Sequence, residues 1–323
     1  MKTKLLKNLS IMKGARVAVE TCMNTQPEET VLIVTDTNKL NIAEAFAYAA
    51  ASIGARTVTT IMEPALEHAK EPPKPVAEAM KAAEVVLIPT TESLSHTDAR
   101  RGATKVGARI ASMPGITEDM MHLGGLTANY NEVAELTDKV AAIIEKAKTV
   151  QITTPSGTDL TMSIENRPPL PDTGLYHKKG KWGNLPAGEV CLAPVEGTTN
   201  GVLVIDSMGS TVTQPLKVTV KNGWATTFEG PDAVKLETIL KAGDKNAYNI
   251  GELGIGTNAK ARITGNVLED EKVLGTVHIA LGDNTSYKGG HTKSKIHVDG
   301  ILYQPTLKAD SKLLMQKGKL LVG

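Results

Sequence analysis

Between residues 30 and 148 the chain alternates strand and helix signals, with strands expected at Thr57–Met62, Glu84-Val-Val-Leu-Ile-Pro89 and Arg109-Ile-Ala-Ser-Met113. The first of the series, Thr30-Val-Leu-Ile-Val-Thr35, is a short, continuously apolar, β-branched run. A strand covered on both faces has this appearance. Between the strands lie an alanine-rich helix over Ile42–Ile53, a helix over Pro75–Ala83 and one over Ala99–Ala108 with Asp98 as its predicted N-cap. Asp36, Asn38 and Asn41 supply turn chemistry before the first helix, and Gly54 follows it in a C-cap position. A longer helix is predicted over Tyr130–Lys148, with Val133, Leu136, Val140, Ile143 and Ile144 on its apolar stripe. Strands separated by helices imply a parallel sheet with right-handed crossovers. The expected first domain is therefore α/β and covers residues 1–148. It is Rossmann-like without a dinucleotide, because Thr35-Asp-Thr-Asn-Lys39 stands where a glycine fingerprint would follow the first strand.

The pattern changes at about residue 149. A hairpin is predicted from Val150–Thr153 and Asp159–Ile164 around Pro155-Ser-Gly-Thr158. Short strands follow at Glu189–Ala193, Gly201–Asp206, Leu216–Lys221, Trp224–Phe228, Gly275–Leu281, Lys295–Val298 and Ile301–Tyr303, with one helix over Pro231–Ala242. Residues 149–323 thus read as a β-rich α+β domain. Gly251-Glu-Leu-Gly-Ile-Gly256 reads as a turn, and Lys70–Pro75 as an exposed loop.

Composition excludes several function classes. The 36 Lys+Arg and 35 Asp+Glu leave a net charge of +1 and only ten aromatics, so neither a phosphate-binding field nor a base-stacking platform is expected. No apolar run approaches a membrane span, and the basic start, Met1-Lys-Thr-Lys-Leu-Leu-Lys, lacks the apolar core of a signal peptide. Two cysteines, Cys22 and Cys191, cannot form a disulfide scaffold, so a reducing cytoplasm is the expected compartment. The chain contains no P-loop, HExxH or GxSxG motif.

The chemistry-bearing residues lie in the β-rich part. His278 occupies Gly275-Thr-Val-His-Ile-Ala-Leu-Gly282, where strand alternation gives it the small face-mates Ala280 and Gly282. His297 and Asp299 form His-Val-Asp, whose side chains share one strand face with Cα atoms roughly 6.5–7 Å apart. Taken alone, a pair of this kind reads first as a histidine oriented by its neighbouring aspartate and only second as a ligand pair. Glu189 opens an apolar strand after Asn184-Leu-Pro-Ala-Gly188, and Glu252 is embedded in a Gly- and Ile-rich segment where a lone carboxylate needs a cation or a partner. Two Glu, two His and one Asp in glycine-flanked β segments are the ligand types of a carboxylate-rich metal site.

Four segments, Asn184–Val190, Gly251–Asn258, Asp270–Gly282 and Gly289–Asp299, resemble in order the metal-ligand segments of the aminopeptidase T/aminopeptidase S family of metallopeptidases. The resemblance covers about residues 180–305. It implies two divalent ions (Zn, Co or Mn) held by Glu189, Glu252, His278, His297 and Asp299, with Glu252 bridging them or acting on the attacking water. Tyr287 would donate to the developing oxyanion or serve as a rim residue. The implied reaction is removal of the N-terminal residue of a peptide by metal-activated water, in a homodimer with no nucleic-acid or membrane partner. The 19 residues from His278 to His297 are few for that family, and His291 replaces a smaller polar residue. His291 is read as a solvated loop residue, with an extra ligand as the other possibility.

A second resemblance is to the 2,5-dihydroxypyridine 5,6-dioxygenases. It implies one Fe(II) on His278, His297 and Asp299, with Glu189 as base, Glu252 structural and a small hydroxylated ring as substrate. Cys191 is expected as a packing residue on the Glu189 face. Trp182, Trp224, His68, His96, His122 and His177 carry no site pattern.

Overall fold

The computed structural model describes residues 4–322, so Met1–Thr3 of the basic N-terminal stretch lie outside the described residues. Two compact units form. The first takes the chain up to Ala134 together with Thr173–Ala187 and Ala259–Arg262; the second takes Glu135–Asp172, Gly188–Asn258 and the chain from Ile263 onward. The expected division at 148/149 is therefore replaced by units that the chain visits more than once.

The first unit is built on a five-stranded parallel sheet in the order Arg56–Met62, Thr30–Asp36, Val85–Ile88, Arg109–Ser112, Trp182–Asn184. The apolar runs fill its centre: Val31 to Val34 and Val85 to Ile88 are buried, whereas the Thr-rich edge strand Arg56–Met62 is largely exposed. Helices Leu40–Ser52, Lys74–Ala82 and Asp98–Lys105 connect the strands. Leu40–Ser52 buries Ile42, Ala43, Ala45, Phe46, Ala49 and Ala50, a stripe at helical spacing.

Three local expectations change. The cap of the third helix is Thr97, whose hydroxyl accepts the Arg100 N–H at 3.2 Å. Asp98 becomes the first helical residue, where its charge still favours the helix N-terminus. The helix predicted to Lys148 spans Tyr130–Ile144, because the next turn tightens: Lys146 and Ala147 bond back to Ile143 and Ile144. The helix Lys4–Arg16 and the π-helical turn Val17–Cys22 that continues it carry interspersed lysines and no clean apolar stripe, and periodicity does not reveal them.

The second unit holds an eight-stranded sheet and a five-stranded sheet whose apolar faces share one core. The predicted hairpin is present as Thr149–Thr153 with Asp159–Ser163, paired Val150 to Met162. The five-stranded sheet runs His297–Leu302, Val277–Gly282, Ile250–Gly256, Glu189–Leu192, Leu170–Asp172, antiparallel throughout. Two expectations are corrected here. The two strands predicted at Lys295–Val298 and Ile301–Tyr303 are one continuous strand, since Gly300 pairs in register with Ile279 rather than breaking it. The segment Gly251–Gly256 belongs to the central strand of the sheet, buried at every position. Among the described residues no helix is long and apolar enough to cross a membrane.

Candidate metal centre

The five-stranded sheet separates its chemistry by alternation. Leu192, Leu253, Ile255, Val277, Ile279, Leu281 and Leu302 all join the core cluster. Each such side chain contributes roughly 1.5–3 kcal/mol on burial, so a one-residue slip of register is strongly disfavoured. The residues between them are thereby fixed on the other face. Glu189 stands opposite Gly256, Cys191 and His278 flank Gly254, Ala280 lies between Glu252 and Asp299, and His297 pairs with Gly282.

The glycines make this face possible. A Cβ on Gly254 would lie 1.9 Å from His278 Nε2, so the imidazole occupies the space a side chain would fill. The register shifts between Ile250 and Glu252, which places the extra residue at Gly251, where a Cβ would meet the Gly282 carbonyl at 2.9 Å. This bulge lets Ile250 join the core while Glu252 turns to the site. A Cβ on Gly256 would lie 2.1 Å from the Val273 carbonyl, so that glycine admits the 271–273 turn against the sheet.

Glu252 is the hinge of the constellation. Its Oε1 lies 3.2 Å from His278 Nε2 and its Oε2 2.8 Å from His297 Nε2. His297 donates Nδ1–H to the Asp283 carbonyl at 2.7 Å, which directs Nε2 to Glu252 and, at 3.4 Å, to Asp299 Oδ1. His278 is fully buried, with Glu189 Oε2 3.4 Å from its Nε2. Burial opposes ionisation of Glu252, but the hydrogen bonds from the two histidines outweigh it and hold its carboxyl well below the usual range. Burial also disfavours imidazolium at His278, yet its hydrogen bond to Glu252 and the charges of Glu252, Glu189 and Glu271 bring it up to about 9. For His297, burial is outweighed by Asp299 and Glu252, so its pKa too is raised.

Ligand atoms gather in two groups within 4.8 Å: Glu189, Glu271 and His278, and Glu252, His297 and Asp299. All five residues singled out from the sequence are present, and His278 falls with the first group rather than with His297 and Asp299. Glu271 and its neighbour Lys272 escaped the sequence reading. Lys272, with a side chain only 2% exposed, places Nζ 2.6 Å from Glu189 and 2.5 Å from Glu271. The Asp270-Glu-Lys272 triplet carries no local signal of burial, because charged residues in a row ordinarily lie at the surface. Burial pushes Glu271 up to about 8, Lys272 opposing and Glu189 and Asp299 adding to it.

Tyr287 is half-buried, with its ring centroid 6.3 Å from that of His297. Burial, and then the charge of Glu252, raise its phenol pKa. Cys191 is buried, its thiol donating to the Leu170 carbonyl at 3.7 Å, and burial raises its pKa. His291 is exposed, with Nδ1 3.2 Å from Glu196, and belongs to neither ligand group.

The site fits a divalent metal. Buried Glu189 Oε2 and Asp299 Oδ1 have no hydrogen-bond partner among the described residues although both face imidazoles, and their donors, with Glu252 and His297, are the oxygen and nitrogen ligands such ions take.

A curated relative, the 2,5-dihydroxypyridine 5,6-dioxygenase of Pseudomonas putida, is 22% identical over 258 residues, covering 74% of this chain and 71% of its own. The solved structure of the 2,5-dihydroxypyridine dioxygenase of Pseudomonas putida superposes with a TM-score of 0.81 at 17% identity, covering 98% of each chain. AmpT from Thermus thermophilus superposes at 0.72, also at 17% identity, covering 97% of this chain and 99% of its own. The aminopeptidase resemblance drawn from the sequence thus holds as a shared fold. The model of the 2,5-dihydroxypyridine 5,6-dioxygenase family matches residues 11–322, nearly the whole chain, and the protein belongs to that family.

Proposed function

We propose that the protein is a mononuclear non-haem Fe(II) dioxygenase that opens a small hydroxylated ring. The observation that carries this reading is the accessibility of one ligand group. Glu252 is buried, whereas the His297 side chain is 33% exposed and Asp299 13%, so an ion among them has an open side. Glu252, His297 and Asp299 would hold the ion, with His278 against Glu252. Fe(II) there would supply the electron chemistry that makes O2 reactive toward an electron-rich ring.

The remaining work belongs to the chain. Tyr287 lies beside His297, where a ring hydroxyl would approach the open side, and Glu252 holds the two imidazoles in place through separate oxygens. The Asp283 carbonyl keeps His297 in the orientation that presents Nε2. The test is anaerobic Fe(II) loading followed by 2,5-dihydroxypyridine in an oxygen electrode. Stoichiometric O2 uptake with loss of the ring absorbance is expected. Hydrolysis of aminoacyl amides with Zn, Co or Mn, and no O2 uptake, would replace this reading with the peptidase one.

Metal binding carries a pH signature. In the metal-free site His297 holds its proton at neutral pH, because its pKa is raised. A metal at Nε2 displaces that proton, so affinity rises with pH by about tenfold per unit below that pKa. Titration calorimetry in buffers of different ionisation enthalpy should show about one proton released per ion.

A further inference from the structure

We propose that Lys272 is the built-in cation of the first carboxylate group, and that its ammonium takes the place a second divalent ion would need. This deepens the single-metal reading given above and rests on the same site. Glu189, Glu271 and His278 can by themselves gather around one ion. The Lys272 ammonium already bonds both of those carboxylates, at 2.6 Å and 2.5 Å. An ion held by the same oxygens at about 2.0–2.2 Å would lie against that ammonium, with like charges in contact in a buried site.

The lysine is held there by the backbone around it. Asn266 caps the short helix Val267–Asp270, the Lys272 N–H donates to the Glu269 carbonyl at 3.0 Å, and the Lys272 carbonyl accepts from Asn258 at 2.9 Å. Gly256 lets this turn approach the sheet, as described above. A surface lysine could swing away to admit an ion. This one has its stem packed and its backbone pinned at both the N–H and the carbonyl. The other group, Glu252, His297 and Asp299, contains no lysine or arginine bonded to its carboxylates among the described residues. The two groups therefore differ in one respect that decides metal count: only one of them holds a cation, the Lys272 ammonium, that is not itself one of the ligands.

The experiment counts Mn2+ bound per chain to metal-stripped protein, by elemental analysis after gel filtration, for wild type, Lys272→Met and Lys272→Arg. One ion is expected in wild type and Lys272→Arg, and two in Lys272→Met. The metal-stripped Met variant should also melt below wild type and gain more from saturating Mn2+ than wild type does. Two ions in wild type, or one ion in a folded Lys272→Met protein, would overturn the assignment. If the Met variant folds only with Mn2+ present, its count under those conditions decides in the same way. None of these readouts needs turnover. An inert protein showing the one-to-two change keeps the Lys272 assignment and removes the dioxygenase reading.

Discussion

Glu252→Gln is expected to abolish metal binding at micromolar ion concentrations and to destabilise the metal-free protein in a pH-dependent way. The carboxylate contacts both His278 and His297 through separate oxygens. Changing even the groups that orient a ligand typically costs 10–100-fold in affinity, so removing the charge of a direct ligand is expected to cost on the order of 100-fold or more. The stability effect follows from His278, whose pKa stands at about 9 against an ordinary 6.5. A raised imidazole pKa contributes stability in full below the unfolded value, and that contribution fades as pH rises through the folded one. The deficit of Glu252→Gln, measured by denaturant titration with chelator present, should therefore be large at pH 6 and small above pH 9. Breaking a buried ion pair costs about 3–5 kcal/mol, an upper bound here because the histidines can shed their protons. An equal deficit at both pH values would show that Glu252 acts through packing and not through its charge.

Much of this site was legible because strand alternation is a strong rule. His-Val-Asp at 297–299 share a face, and Ala280 and Gly282 leave room beside His278, as the sequence implies. Glu252 was recognisable as a buried acid in an apolar segment, but the same glycines that serve the site concealed its strand. Gly251, Gly254 and Gly256 read as turn residues when only local propensity is considered. They are required by atoms from distant segments: the Gly282 carbonyl, the His278 ring and the Val273 carbonyl. Lys272 was concealed for a related reason. A lysine next to two acids reads as surface, and only the turn that folds back on Gly256 buries it.

The parallel sheet followed directly from its apolar runs, since buried strands need no partner information to be recognised. Its fifth strand, Trp182–Asn184, did not. Three residues carry too little pattern, and the strand reaches the sheet only after the chain has built a hairpin of the second unit. The first family resemblance had the same limit. Ligand segments in the same order on the same fold identify a metal-dependent scaffold and do not by themselves select the reaction.

Gly254→Ala tests the close packing on which the whole centre depends. The added methyl would lie 1.9 Å from His278 Nε2, 2.0 Å from Cε1 and 2.7 Å from Cδ2, where real carbon contacts essentially never fall below 3.0 Å. The ring has little room to yield, because Glu189 and Glu252 confine Nε2 and the ring is fully buried. The strand has little room either, since Gly254 is paired on one side to Cys191 and on the other to His278. Overpacking of a filled site costs about 1–3 kcal/mol, and displacing the imidazole from its carboxylates adds to it. A loss of about 3 kcal/mol or more is expected, with metal affinity falling in parallel. The cause can be isolated by a double-mutant cycle. If the methyl collides with the ring and with nothing else, His278→Ala introduced into the Gly254→Ala protein should restore stability, although His278→Ala alone lowers it. Additive losses in the double variant would mean that Gly254 is needed for the strand backbone itself, and that the imidazole is not what the glycine accommodates.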